Sequence, residues 1–434
     1  MNSTAESKND LPRRLGLLLT SLTGIGVILG SGIYVIVGIA AGMAGNAVWI
    51  SFIIAAVAAG LTGLSYARLA KIQPEDAPEF HYINRAFGRL PAFLAGWLVL
   101  FSGIISAATV ALGFSSYFSH LFPVAVVPSA IGLVLLCDLI VFLGIGKSTT
   151  IASVLTVIEA GGLVFIIIVG IPFWGSVNYL EAPSGLPGIL AAASLIFLAY
   201  LGFESMANLA EEMKRPERDL PLAIFIALGV STLLYVLVGI STISILDWRN
   251  LSQSGAPLAA VAGRVLGERA DLVMTLIALG STANTVLIIL IAMSRAMWAM
   301  SCVGVLPMFL CTLGEKRHTP WLTILIVGVF ASLFTIVGNI ERIAEFTNFA
   351  ILVVFAGVNA SAIRLLNGAK KTNLAGHIIF NRIFPLLGVV VSLLLAALTG
   401  WFAALLGGVI VLAGAAFYFI WGAISHKNKR QSAG

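Results

Sequence analysis

Residues 15–67 carry no charged side chain. That length is room for two helices of about 20 residues, each long enough to cross the hydrocarbon core of a bilayer. An ordinary soluble domain has about one charged residue in four; here the charged share of the whole chain is 10% and the apolar share 59%. The run therefore reads as part of an integral membrane protein. It is far too long for a secretory signal peptide, and the polar residues 1–14 ahead of it carry no cleavage pattern.

Inside this run, Thr23–Tyr34 contains Gly24, Gly26, Gly30 and Gly32. Glycine in a helix interior costs roughly 1 kcal/mol relative to alanine, so Gly30-Ser31-Gly32 is an easy place for a helix to open. Open backbone at membrane depth is tolerated only where it is enclosed in protein or lines a cavity. The alternative is that the glycines let two helices pack closely, as small residues do in membranes. The stretch alone leaves both readings standing.

Apolar runs bounded by charge or turn residues predict twelve spans. In order they are 15–42, 47–70, 90–119, 126–146, 150–173, 188–209, 220–246, 270–299, 320–338, 346–366, 382–400 and 402–424. An even count puts both termini on one side. Of the 25 lysines and arginines, only Arg249, Arg264, Arg269 and Arg342 then fall on the other side. Positive residues collect on the cytoplasmic side, so this distribution places the termini in the cytoplasm. It also accounts for the net charge of +6 without nucleic-acid binding.

Two connections stand out. Ile72–Arg89 carries Pro74, Glu75, Asp76, Pro78 and Glu79, too polar for a span, and reads as a cytoplasmic connector. Asp247–Asp271 has a short helical pattern after Pro257 and reads as a small external cap, with a plain loop as the other option. Cys137, Cys302 and Cys311 show no metal-like spacing and are expected to be structural packing residues rather than a disulfide framework. No cofactor is implied: His81, His120, His318, His377 and His426 fall in loops or at span ends, where they cannot hold a membrane haem, and no nucleophile–base pair stands out.

Span six repeats the pattern of span one. Ser194–Ser205 has Gly202 in mid-span and Glu204 two residues later. A charge inside a membrane helix costs at least ~2.5 kcal/mol on insertion scales, so it faces the protein interior and marks a pathway. If the first ten spans form two halves of five, spans one and six correspond. Interrupted helices in matching positions of two halves are the best sequence pointer to a transporter's binding site.

These residues resemble a known family. Gly-Ile-Gly-x-x-x-Gly-Ser-Gly-Ile-Tyr (Gly24–Tyr34) and Phe-x-Ala-Tyr-x-Gly-Phe-Glu (Phe197–Glu204) are similar to signatures of the amino acid–polyamine–organocation superfamily. So are the loop Glu211–Ile224 and the segment running from Ser294-Arg295 to Gly304-Val305-Leu306-Pro307. The likeness runs in order along nearly the whole chain and looks nearest to the bacterial and archaeal branch related to cationic amino acid transporters.

The resemblance implies an all-α leucine-transporter fold of twelve transmembrane helices. This is a 5+5 inverted repeat with helices one and six unwound at mid-membrane, plus two further helices. The domains expected are a cytoplasmic tail (1–14), a ten-helix core (15–366, repeats 15–173 and 188–366), helices eleven and twelve with their preceding loop (367–424), and a cytoplasmic tail (425–434). The expected function is amino acid transport across the cytoplasmic membrane by alternating access. Proton-coupled symport is the first reading, and sodium-independent exchange of amino acids or polyamines the second.

The chemistry of an amino acid fits such a site. The turn at Gly30, Ser31 and Gly32 offers backbone N–H groups at a helix N-terminus, where an anion is favoured. By resemblance, the carbonyls of Ile28, Leu198, Ala199 and Leu201 would accept from the ammonium group. Ser106, Phe203 and Asn284 are candidate side-chain contacts. Glu204 either binds a cationic side chain or a proton, or caps the second half of the broken helix.

Coupling has three candidates. Glu159 lies well inside span five, where some relatives carry a lysine. A carboxyl group shielded from water favours its neutral form, which makes Glu159 a candidate proton carrier, or else a hydrogen-bonded strut. Ser281 and Thr285 of span eight are four residues apart and share a helix face, where they could contact an ion or substrate, or simply pack. Asp138 in span four has no evident partner.

Overall fold

The computed structural model describes residues 15–72, 78–143, 149–314, 319–366 and 382–431. The predicted N-terminal tail, Pro74 through Asp76 of the first connector, most of the loop before span eleven, and His318 and His377 lie outside the described residues.

The described chain is helical, with one isolated parallel bridge between Leu15 and Met213. The first run divides into α1 (Leu17–Ile28) and α2 (Gly32–Ala44), followed by α3 (Val48–Ile72). Next come α4 (Pro78–Phe87), α5 (Arg89–Leu121), α6 (Val126–Phe142) and α7 (Thr149–Gly170). The second interrupted run starts as α8 (Gly185–Ile196) and passes through 3-10 turns at Phe197–Tyr200 and Phe203–Glu212. Then follow α9 (Pro216–Ile245), α10 (Trp248–Gln253), α11 (Pro257–Leu266) and α12 (Glu268–Cys302). The chain closes with α13 (Trp321–Thr335), α14 (Ile340–Leu366), α15 (Phe384–Ala397) and α16 (Trp401–Gln431).

Seven helical segments among the described residues are long and apolar enough to cross a membrane, including those built on α5, α9, α12 and α14. Others, such as α1, α6, α8, α13 and α15, are apolar but shorter. Large apolar side chains remain exposed on the outer helices. Leu272, Val273 and Leu276 of α12, Leu386, Val390 and Leu393 of α15, and Leu405, Val409 and Leu412 of α16 are examples. Apolar exposure on this scale suits a hydrocarbon surround, not water.

Among the described residues, both unusual connections contain helix. In α4, Pro78, Tyr82, Ile83 and Ala86 are buried, and the helix packs on α5 and α14. Its mix of apolar and polar faces is the pattern of a helix lying along a surface. On the other connection, α10 rests on α2: a Cβ at Gly38 would meet the Leu251 carbonyl, and one at Gly42 would meet Ser252. This segment is therefore a cap seated on the second half of the first run.

The expectation for the cysteines needs one correction. Cys137 is free and buried, but Cys302 and Cys311 form a disulfide with their Cα atoms 4.9 Å apart. Gly304, at φ 76°, turns the chain back just after α12 ends, which returns Cys311 to the helix end.

Asp138 acquires a place. Its carboxyl packs directly over Gly328 of α13, where any Cβ would collide with it, and its Oδ1 is buried without a hydrogen bond. His120, in the last turn of α5, meets Asp271 of α12 at 2.8 Å.

Candidate functional site

The two interruptions meet at the centre of the molecule. Leu29 makes the last α1 backbone bond, to the Ile25 carbonyl, and Val35 restarts the ladder by bonding the Ser31 carbonyl. In the second run, the Leu201 amide closes a turn onto the Leu198 carbonyl, and Gly202 takes φ 115°. That angle is open to glycine and closed to nearly every other residue.

Close packing and helix opening, alternatives in the sequence, occur together here. A Cβ at Gly32 would lie 2.7 Å from the Ala199 Cα, and one at Gly202 would lie 2.6 Å from a Val27 methyl. Each break therefore uses a glycine to admit the other. Gly24 and Gly26, one or two turns earlier, pack against Met206 and Thr156. Gly30 has more room, with the Thr285 hydroxyl 3.8 Å from where its Cβ would stand.

From the first break a line of hydrogen bonds runs to Glu159. The Ser31 amide donates to Thr285 Oγ1 at 3.4 Å, and that hydroxyl donates to the Ser281 carbonyl at 3.0 Å. The Ser281 hydroxyl in turn donates to Glu159 Oε1 at 2.5 Å. The backbone of Glu159 is held as well, its carbonyl accepting from Tyr34 at 2.7 Å, while the Tyr34 carbonyl accepts from Tyr117 at 3.0 Å. Glu159 is 3% exposed. The three coupling candidates thus form one connected group with the turn of the first break.

Other candidates separate by role. Ser31 is fully buried, and its Oγ has no hydrogen-bond partner. An unpaired buried hydroxyl costs about 1–3 kcal/mol, a deficit that an arriving acceptor removes. Glu204 turns back on its own chain: its Oε2 accepts from the Gly202 amide at 2.8 Å, the geometry of a cap. Phe203 packs into an aromatic cluster with Tyr66 and Phe355. Ser106 is buried on α5. Asn284 is partly buried one residue before Thr285, about 100° around α12 from it.

One residue escaped the sequence reading. The Tyr235 hydroxyl of α9 donates to the Ile28 carbonyl at 2.7 Å and the Ala199 carbonyl at 3.1 Å, one from each broken run. A tyrosine in an apolar helix carries no motif. Only the meeting of three distant segments gives it a role.

The family model described as "Amino acid permease" matches residues 15–428. A vacuolar cationic amino acid transporter 4 of Arabidopsis thaliana is 30% identical over 81% of this chain; the chain spans 63% of that relative's length. Two proteins of Bacillus subtilis (strain 168) align nearly end to end. A methylthioribose transporter is 30% identical over 97% of this chain and 94% of its own length. The branched-chain amino acid permease BcaP is 26% identical over 96% and 95% respectively. These relatives are transporters, not enzymes. The chain is a multi-pass membrane protein and belongs to the amino acid permease family, within the amino acid–polyamine–organocation superfamily.

Proposed function

We propose that the chain is a secondary transporter that carries an amino acid across the cytoplasmic membrane by alternating access, coupled to a proton. In this reading α1 with α2, and α8 with the turns after it, are two interrupted spans. Counting each as one, and leaving out the short connection helices α4, α10 and α11, gives twelve spans, the first ten arranged as a 5+5 inverted repeat of the leucine-transporter kind. The termini lie in the cytoplasm.

The observation that carries the reading is the hydrogen-bonded line from the Ser31 amide through Thr285 and Ser281 to Glu159. At its near end, the turn Gly30-Ser31-Gly32 holds the substrate carboxylate through backbone N–H groups at the start of α2, with the unpaired Ser31 hydroxyl alongside. The ammonium group goes to the carbonyls of Ile28, Leu198, Ala199 and Leu201. At the far end, Glu159 holds the coupling proton.

Thr285 is tied into this line at both ends, accepting from the Ser31 amide and donating to the Ser281 carbonyl. Glu204, bonded to the Gly202 amide, serves the fold of the second break instead of the cargo.

The test is uptake of a tritiated mixture of the twenty amino acids into proteoliposomes under an inward proton gradient. The wild type accumulates label and Glu159→Gln does not, although the variant still exchanges internal for external amino acid. Equal accumulation by the variant rejects the role of Glu159. Accumulation of methylthioribose with no transport of any amino acid rejects the cargo.

A further inference from the structure

Tyr235 spans the two breaks. Its ring is set between Phe52, at 5.8 Å, and Tyr200, at 5.4 Å, and all three are fully buried. The hydroxyl is therefore held where it is, against one main-chain oxygen of the last turn of α1 and one of the turn after α8. A phenol has a single proton to offer, so the two carbonyls share it and neither is fully served. A substrate ammonium group brings three N–H donors to the same place.

We infer that the Tyr235 hydroxyl is a built-in substitute for the substrate's ammonium group. It pairs with Ile28 O and Ala199 O while the carrier is empty and yields them when substrate arrives. The inference rests on the site reading given under the proposed function. Its force comes from the energetics of buried acceptors. Carbonyls freed by a broken helix inside a membrane protein have no water to fall back on, and leaving one unpaired is costly. With Tyr235 in place, the empty protein keeps both carbonyls paired. At the carboxylate end the Ser31 amide is likewise paired, with Thr285 Oγ1, and only the Ser31 hydroxyl is left buried and unpaired.

The consequence is kinetic. Net transport requires the empty carrier to return, whereas exchange returns it loaded. A carrier lacking the hydroxyl exposes its deficit only in the empty state. Tyr235 is thus a positioning residue for the empty return step.

The experiment compares wild type and Tyr235→Phe in proteoliposomes, with a tritiated mixture of the twenty amino acids. One arm measures net uptake into vesicles without internal amino acid, driven by an inward proton gradient. The other measures counterflow against an unlabelled internal mixture, which also reports that the variant is folded. Tyr235→Phe is expected to keep counterflow near the wild-type rate while net uptake falls about tenfold, the size of one lost buried hydrogen bond. Retention of both activities, or loss of both in proportion, overturns the inference. So does wild-type counterflow without net uptake. Absence of counterflow in the wild type overturns the site reading and this inference together.

Discussion

Ser281 of α12 donates its hydroxyl proton to Glu159 of α7 at 2.5 Å, across 122 residues of sequence. The bond orients a carboxyl group that has almost no contact with solvent, and it places that group one helical turn from the hydroxyl bonded to the Ser31 amide. Ser281→Ala removes the donor and leaves the carboxyl less restrained, by roughly 1–3 kcal/mol. Proton-driven accumulation in vesicles should drop about tenfold while counterflow persists, since one lost buried hydrogen bond is of that size. Counterflow falling in step with accumulation would place Ser281 in cargo binding instead.

The glycines of the first break should differ in what they tolerate. A methyl at Gly30 meets nothing closer than 3.7 Å, whereas one at Gly32 drives into the Ala199 backbone at 2.7 Å. Gly30→Ala is therefore expected to fold and transport, and Gly32→Ala to lose stability by about 1–3 kcal/mol, as overpacked sites do. Thermal unfolding of the purified variants, followed by size-exclusion chromatography, reads the difference. Equal melting temperatures would mean the two breaks do not touch at Gly32.

Gly202→Ala meets two penalties. Its φ of 115° is strained for any L side chain, and the new methyl would stand 2.6 Å from Val27. A strained backbone position of this kind costs of order 1–3 kcal/mol. The variant should unfold several degrees below wild type in a thermal-shift assay, and Val27→Ala in the same chain should recover part of the loss. No recovery would assign the whole effect to the backbone.

Asp138 and Gly328 make a size-matched pair, the carboxyl lying where a Cβ would otherwise be. Gly328→Ala should destabilise the α6–α13 contact, and Asp138→Ala should suppress that effect. A double-mutant cycle is expected to give a coupling of about 0.5–3 kcal/mol, the range for residues in contact. Additive effects would contradict the packing.

Much of this arrangement was legible before any coordinates. Gly30-Ser31-Gly32 and Gly202 mark both interruptions because glycine costs more in a helix interior than any residue except proline. Glu159 is visible as an ionisable residue in an apolar helix, which is rare enough to carry meaning, whereas Ser281 and Thr285 are marked only by sharing a helix face. What stayed hidden depends on long-range contact between ordinary residues. Tyr235 looks like any aromatic in an apolar span, yet its hydroxyl meets oxygens 207 and 36 residues away. Gly328 gives no sign that it receives a carboxyl. Cys302 and Cys311 read as packing residues because nothing in their spacing reveals the turn at Gly304 that joins them.

The central claim is that an amino acid is held by the opened backbone of the first break. Counterflow in proteoliposomes tests it most directly, with a tritiated mixture of the twenty amino acids outside and the unlabelled mixture inside. The account predicts a transient overshoot of label for the wild type and none for Gly30→Leu, whose side chain starts in the open space of the turn and fills the place of the carboxylate. Wild-type counterflow by Gly30→Leu would contradict it.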